Sequence, residues 1–382
     1  MKYLLLLVTT LTLAACASVP DAPPSQSLYL DARFAAPSER IGAGDVFALS
    51  PEMKDYVHTD LSGPVRTLGH QHGLFDALYK KGQLKLEYDG VMTKNASEAF
   101  AARSGNCLSL VIMTAAFAKE MGLPVRYQNV MVEETWSRTG DIYLSIGHVN
   151  LSLGRKQTDG GVDLVGEMLT IDFMPPSNLR TLRTHTLAEQ TIVAMYMNNR
   201  AVESLTRDQL DDAYWWARAA TVQDPKFLSA FNTLGVIYQR HGNIEQADRV
   251  FEYVLEREPG NTRVMSNLAP VLEKLGRNAE AQELTRKLQQ LEPYPPFYFF
   301  KLGQEAMQRG DPRAAVTYFE REVERAAYYH EFHFWLAVAY ASVGDADKAR
   351  RQLTLAMENS ATRADHDLYA AKLDRIRMSH LR

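Results

Sequence analysis

Four glycines set 34 residues apart, Gly242, Gly276, Gly310 and Gly344, constrain this chain more than any other feature. Three further columns keep the same interval: Leu234, Leu268, Leu302 and Leu336; Gly235, Ala269, Gly303 and Ala337; and Ala247, Ala281, Ala315 and Ala349. Columns in phase over four units mean that each unit folds alike and stacks on the next. The interval leaves room for two helices of about a dozen residues per unit. The glycine column suits the left-handed residue that ends a first helix. Asn243, Asp311 and Asp345 follow it in three units and suit a tight turn or an N-cap. The small residues of the second column let paired helices approach closely. Pro259 and Pro293 close two units, and Pro225 lies one period earlier. A more divergent unit is therefore predicted in front, with helices over residues 188–205 and 210–222 and Ala213 in the alanine column. Pro270 falls inside a first helix and is expected to kink it.

This spacing and these residue types resemble tetratricopeptide repeats. The resemblance implies an all-α superhelix over residues 188–382, with a concave face that docks a protein or peptide ligand. The other reading is an array that only buttresses the first domain. Tyr294, Phe297, Tyr298, Phe299 and Phe300 suit core and contact equally. His330 and His333 read as helix surface or core, not as a metal pair.

The chain opens as an export signal: Lys2 is a positive start, and Leu4 to Leu13 is an apolar stretch too short to span a bilayer. Small residues Ala14 and Ala15 precede Cys16. The run Leu13-Ala14-Ala15-Cys16 resembles a bacterial lipobox. The resemblance implies removal of a signal peptide, residues 1–15, and a diacylglycerol on the Cys16 sulfur. More than one acyl chain gives stable membrane anchoring. Ala17 after the cysteine resembles lipoproteins sorted to the outer membrane, so the expected location is the bacterial cell envelope, at the outer membrane facing the periplasm. The alternative is an ordinary secretory signal. Residues 16–30 hold three prolines and few large apolar side chains, and are expected to be a flexible tether. A net charge of −4 with no long basic block argues against nucleic acid as a partner.

Residues 31–187 carry the chemistry. With Cys16 lipidated, Cys107 is the remaining one of two cysteines and has no intrachain disulfide partner. It opens a predicted helix over residues 107–121 that is apolar nearly all round, and therefore buried in mid-domain. Gly122 terminates this helix and Pro124 prevents its return. Residues 92–102 read as a loop entering a helix, with caps available from Thr93 to Ser97. Strands are predicted over residues 125–132, 142–153 and 161–173. A lone thiol with a His and an Asp further along is a candidate nucleophile. Nothing in the sequence reads as a cofactor motif: a P-loop, a dinucleotide-binding glycine fingerprint and a HExxH run are all missing. His70-Gln71-His72 has no third ligand at a recognisable spacing.

Glu98 to Phe100, then Arg103-Ser104-Gly105-Asn106-Cys107-Leu108-Ser109-Leu110, a buried helix, Gly122-Leu123-Pro124 and three strands resemble the transglutaminase-like, papain-related cysteine fold over about residues 85–175. The expected fold class is thus an α+β transglutaminase-like, papain-like domain followed by the repeat superhelix. The resemblance implies a triad of Cys107 on a helix N-terminus, His148 on one strand and Asp172 on the next. A helix N-terminus stabilises a thiolate, and an adjacent imidazolium donates a proton to the leaving group. Asp172 would hold the ring in the useful tautomer. The Cys107 N–H would supply half an oxyanion hole, with Tyr88 or Gln83 as candidates for the other donor. The plain alternatives are a Cys107 that is an inert small hydrophobe, a His148 that is a satisfied strand residue and an Asp172 that is a turn residue. Two functions follow: a lipid-anchored enzyme transferring acyl groups from peptide or glutamine-type amides (protease, amidase or cross-linking transferase), or a non-catalytic scaffold for envelope assemblies. Truncation near residue 185 is expected to leave a folded first domain.

Overall fold

The computed structural model describes residues 26–79, 86–90, 92–139, 142–156, 168–173, 183–360 and 363–379. The signal-peptide residues, Cys16 and Gln83 lie outside them.

Three short helices, α1 Pro51–His58, α2 Ser62–Leu68 and α3 His70–Tyr79, lead in. Strand β1 Glu87–Tyr88 pairs in parallel with β2 Ser104–Gly105. Between these strands lies α4 Ala96–Ala102, which starts on a capping box of Asn95 and Glu98. That arrangement satisfies two first-turn donors reciprocally. Helix α5, Cys107–Glu120, follows directly, and every residue from Leu108 to Ala118 is buried. Its apolar surround is thus met by packing on all sides. Gly122 takes a φ of 73° just beyond its end, as the turn there requires.

An antiparallel sheet runs in the order β5-β4-β3-β6. Its strands are β3 Val125–Thr139, β4 Ile142–Leu153, β5 Leu169–Ile171 and β6 Thr184–Leu187. Of the strand expected over residues 161–173 the structure shows β5 only, with residues 161–167 outside those described, and two further strands differ from expectation. Strand β3 runs seven residues past the predicted end at residue 132, because its far half pairs with β4 as a projecting hairpin. Strand β6 was not predicted. It pairs with Tyr127 to Val130 and runs straight into the repeats, so the boundary at residues 187 and 188 is an edge strand, not a linker.

The repeats are five helical hairpins and a closing helix. They comprise α6 Glu189–Thr206 with α7 Leu210–Gln223, α8 Leu228–His241 with α9 Ile244–Arg257, α10 Thr262–Lys274 with α11 Asn278–Leu291, α12 Tyr298–Gln308 with α13 Pro312–Arg325, α14 His330–Ser342 with α15 Ala346–Glu358, and α16 Arg363–Ser379. The divergent first unit is present within a residue of its predicted bounds. All four column glycines have positive φ, between 75° and 88°. Pro270 lies inside α10, which continues through it to Lys274. Phe297, Phe299 and Phe300 are core residues, while Tyr294 and Tyr298 reach the surface.

The described end of the expected tether, residues 26–30, and the packing between the first domain and the repeats differ from the sequence reading. Residues 26–30 are not free: Leu28 is buried, and its carbonyl accepts a hydrogen bond from the Tyr238 hydroxyl at 2.9 Å. Phe34 stacks on Tyr214 with centroids 3.9 Å apart. Ala35 N–H donates to Asp211, and the Trp215 indole donates to the Ala35 carbonyl. This strap lies on α7, α8 and α9 because large apolar residues there need cover. One hydrophobic core therefore runs from Leu28 through α5 and the sheet to Ala281. A second core, around Phe300, Phe319 and Phe332, fills the last two hairpins.

Candidate active site

Asn106 starts α5. Its side-chain oxygen accepts from the Ser109 N–H at 2.9 Å and the Ser109 hydroxyl at 2.8 Å. The first helical residue is therefore Cys107, half-buried, at the positive end of the helix dipole. Asn106 takes the Ser109 N–H, and the N–H groups of Cys107 and Leu108 have no acceptor among the described residues.

His148 lies on β4 beside a bulge. Val130 pairs with His148, but the next pairing joins Thr135 to Ile146. Such irregularities re-aim side chains and are frequent next to active sites. Residues 148, 150 and 152 share one face of the strand, and all three are buried polar groups. Asp172 follows the last residue of β5, and β5 is the neighbour of β4. Its carboxylate binds the His148 Nε2 at 2.7 Å and accepts from Asn150 Nδ2 at 2.8 Å. Phe173 packs on Tyr79 at 5.2 Å, and the Tyr79 hydroxyl bonds Thr114 of α5, which ties the end of β5 to the helix.

The Cys107 thiol lies near the same ring and bears on its proton affinity. With Nε2 engaged by Asp172, Nδ1 is the nitrogen left for the thiol. Burial pulls the imidazole pKa down. The bonded Asp172 and the nearby Cys107, with the charges of both, outweigh burial and raise it to about 9. The structure thus gathers Cys107 near the bonded pair of His148 and Asp172. Such a group can hold an imidazolium beside a sulfur near neutral pH.

Tyr88 pairs with Gly105 in β1–β2, which brings its backbone within two residues of Cys107. Two residues not singled out in the sequence take part. Asn150 holds the second Asp172 oxygen, while its own buried Oδ1 accepts nothing among the described residues. Thr93 accepts from Asn106 Nδ2 at 2.9 Å. The polar residues at alternate positions of β4 were a readable signal for Asn150. Thr93 left none.

His70 and His72 do not form a ligand pair. Two apart on α3, they sit on different faces, and Gln71 between them is buried and donates to the Leu153 carbonyl at 2.6 Å. His333 bonds Gln352 and the Ala327 carbonyl, and His330 bonds Tyr369. Among the described residues no three metal-ligating side chains of this type converge.

A family model of the tetratricopeptide repeat matches residues 232–295 and 300–364. The C-terminal region is a tetratricopeptide-repeat superhelix. The array is similar to YrrB, a repeat protein with an unusual peptide-binding site (21% identity, 47% of this chain and 92% of that one, TM-score 0.26). It is also similar to the pilF protein of Pseudomonas aeruginosa (21%, 50% and 88%, TM-score 0.32). A third similar structure is a thermophilic repeat protein of Thermus thermophilus (18%, 47% and 98%, TM-score 0.31). These likenesses are too weak to transfer a role. No curated protein matches the chain. Repeats of this kind are protein-interaction scaffolds, and that much applies to the array.

Proposed function

We propose that residues 31–187 form a transglutaminase-like, papain-related domain that performs thiol-dependent acyl transfer on peptide or glutamine-type amides. The observation that carries this reading is the His148 ring, held by Asp172 through Nε2, with Cys107 near it at the start of a buried helix. In the reaction the Cys107 sulfur attacks the amide carbonyl. The C–N bond breaks as the His148 imidazolium gives its proton to the leaving amine, and a thioester remains. Water or a second amine then attacks the thioester, His148 takes the proton, and the Cys107 sulfur leaves. Water gives hydrolysis; an amine gives a cross-link. Asp172 keeps the ring oriented and stabilises its charged form. The Cys107 N–H faces the developing oxyanion, with a second donor from the Tyr88 or Gln83 region.

In this reading the repeat array docks a protein or peptide partner on its concave face and so brings substrate to the thiol. The lipobox-like run before Cys16 adds a lipid anchor at the envelope, facing the periplasm. Mass spectrometry of the mature protein tests the anchor: an N-terminal Cys16 carrying diacylglycerol is expected, and cleavage elsewhere rejects it.

The second reading, favoured by the array alone, is a scaffold whose first domain binds without turnover. Alkylation by iodoacetamide near neutral pH separates the two. Cys107 in the folded protein is expected to react at least about tenfold faster than in unfolded chain, and His148→Ala to remove most of that gain. A Cys107 no more reactive than a free thiol would leave the scaffold reading in place.

A further inference from the structure

Helix α6 is the first helix of the repeat array, yet two of its side chains reach the loop that holds the Cys107 helix start. Asn199 and Glu203 lie four residues apart, on one face of α6. Asn199 Nδ2 donates to Thr93 Oγ1 at 3.1 Å. The Glu203 carboxylate accepts the Thr93 N–H at 2.6 Å. Thr93 is 1% exposed, so these bonds have no competition from water. From the other side, Asn106 Nδ2 donates to the same Thr93 oxygen at 2.9 Å.

Asn106 is thus clamped at both ends of its amide. The nitrogen is held by Thr93, and the oxygen is held by the N–H and hydroxyl of Ser109. The Ser109 hydroxyl also accepts from the Lys94 N–H at 2.8 Å, next to Thr93 in the chain. Asn106 sits at a φ of −74° and ψ of 173°, and those angles set where the following Cα–Cβ bond points. Release of Thr93 would let the Asn106 amide rotate, and the cap with it. The direction of the Cys107 sulfur and of the two open N–H groups would then spread.

We propose that Asn199 and Glu203 of the repeat array are positioning residues for Cys107, acting through Thr93 and Asn106. This rests on the reading of Cys107 as the nucleophile. The repeats then contribute to the reaction as well as to docking: their first helix completes the support of the reactive thiol.

The test is the rate of Cys107 alkylation by iodoacetamide in the full chain, read at its peptide by mass spectrometry and measured across the pH range. The variants are Asn199→Ala, Asn199→Leu, Glu203→Leu, Thr93→Val and Thr93→Ser, with melting temperature recorded for each. Loss of one buried hydrogen bond in the relay is expected to lower the rate about fivefold and to shift the midpoint of its pH profile. Thr93→Ser, which keeps the hydroxyl, is expected to retain the wild-type rate and profile. Should Thr93→Val fail to fold, the two Asn199 variants give the same decision. Folded Asn199 variants with wild-type rate and pH profile would overturn the positioning role while leaving the nucleophile reading intact. A wild-type Cys107 no faster than a free thiol would overturn both.

Discussion

At His148, burial and hydrogen bonding push in opposite directions, and bonding wins. The ring is 3% exposed, yet Asp172 and Cys107 raise its pKa to about 9 from an ordinary 6.5. The sign follows from linkage: a group with a raised folded pKa binds its proton more tightly in the native state. Its contribution to stability is fully present below about 6.5 and is lost as the pH rises through about 9. The melting-temperature margin of wild type over His148→Gln is therefore expected to shrink between about pH 6 and about pH 10. A margin that stays constant, or a His148 ring that titrates near 6.5 by NMR, would refute this account. Cys107, His148 and Asp172 could be singled out because the family resemblance supplies an order, helix start, strand, next strand, and each of the three stands in such a context. Asn150 shared the strand signal of His148 and was passed over. Thr93 could not be found, since an isolated threonine in a loop looks the same with or without a partner on α6.

Among the elements, the repeat hairpins show why the column of Gly235, Ala269, Gly303 and Ala337 must stay small. A Cβ on Gly235 would meet the Phe251 ring at 2.4 Å, and one on Gly303 would meet the Phe319 ring at 2.4 Å. In the other two units the same columns hold Ala269 with Thr285 and Ala337 with Leu353. A glycine thus goes with an aromatic ring, and an alanine goes with a smaller side chain. Phe251 is wholly buried and has no room to yield. Gly235→Ala is expected to lower stability by about 1–3 kcal/mol, as overpacked cores do. The double change Gly235→Ala with Phe251→Leu should recover part of that loss. Denaturant unfolding of both variants checks the pairing, and a Gly235→Ala protein as stable as wild type would refute it. The length of β3 was the least legible feature here. Beyond the bulge, its strand character comes from pairing with β4 and docking on other helices, not from its own alternation.

The whole molecule is braced at both ends of its array. The strap over residues 27–39 lies on α7, α8 and α9, with Ser38 and Glu39 bonded to Asp212, Trp216 and Arg200. At the far end the β3–β4 hairpin reaches α12 and α14. Arg138 pairs with Glu331 at 2.5 Å, the Trp136 N–H donates to the Tyr328 hydroxyl at 2.7 Å, and Tyr143 meets Phe297 at 5.0 Å. The hairpin that docks there belongs to the same two strands that carry His148. A chain ending at residue 187 would uncover Phe34, Leu28 and the packing face of α5 together. Such a fragment is expected to aggregate or to lack fixed tertiary packing, in contrast to an independent domain. Sedimentation and NMR dispersion decide this; a monomeric, well-dispersed fragment would show that the shared core is dispensable.

What the sequence determined by itself is what repeats or is local. A 34-residue period, a glycine that needs positive φ, an N-cap and an all-apolar helix each act within a few residues or recur in step, so each leaves a pattern. What only the tertiary structure decided is the set of single contacts between distant segments. Leu30 meets Tyr238 across 208 residues, Trp136 meets Tyr328 across 192, and Thr93 meets Glu203 across 110. Each such contact happens once, carries no period and forms only after the chain has closed on itself. They fasten the strap and the hairpin and join the first repeat helix to the loop behind Cys107, so segments that read as separate domains in the sequence share one core in the fold.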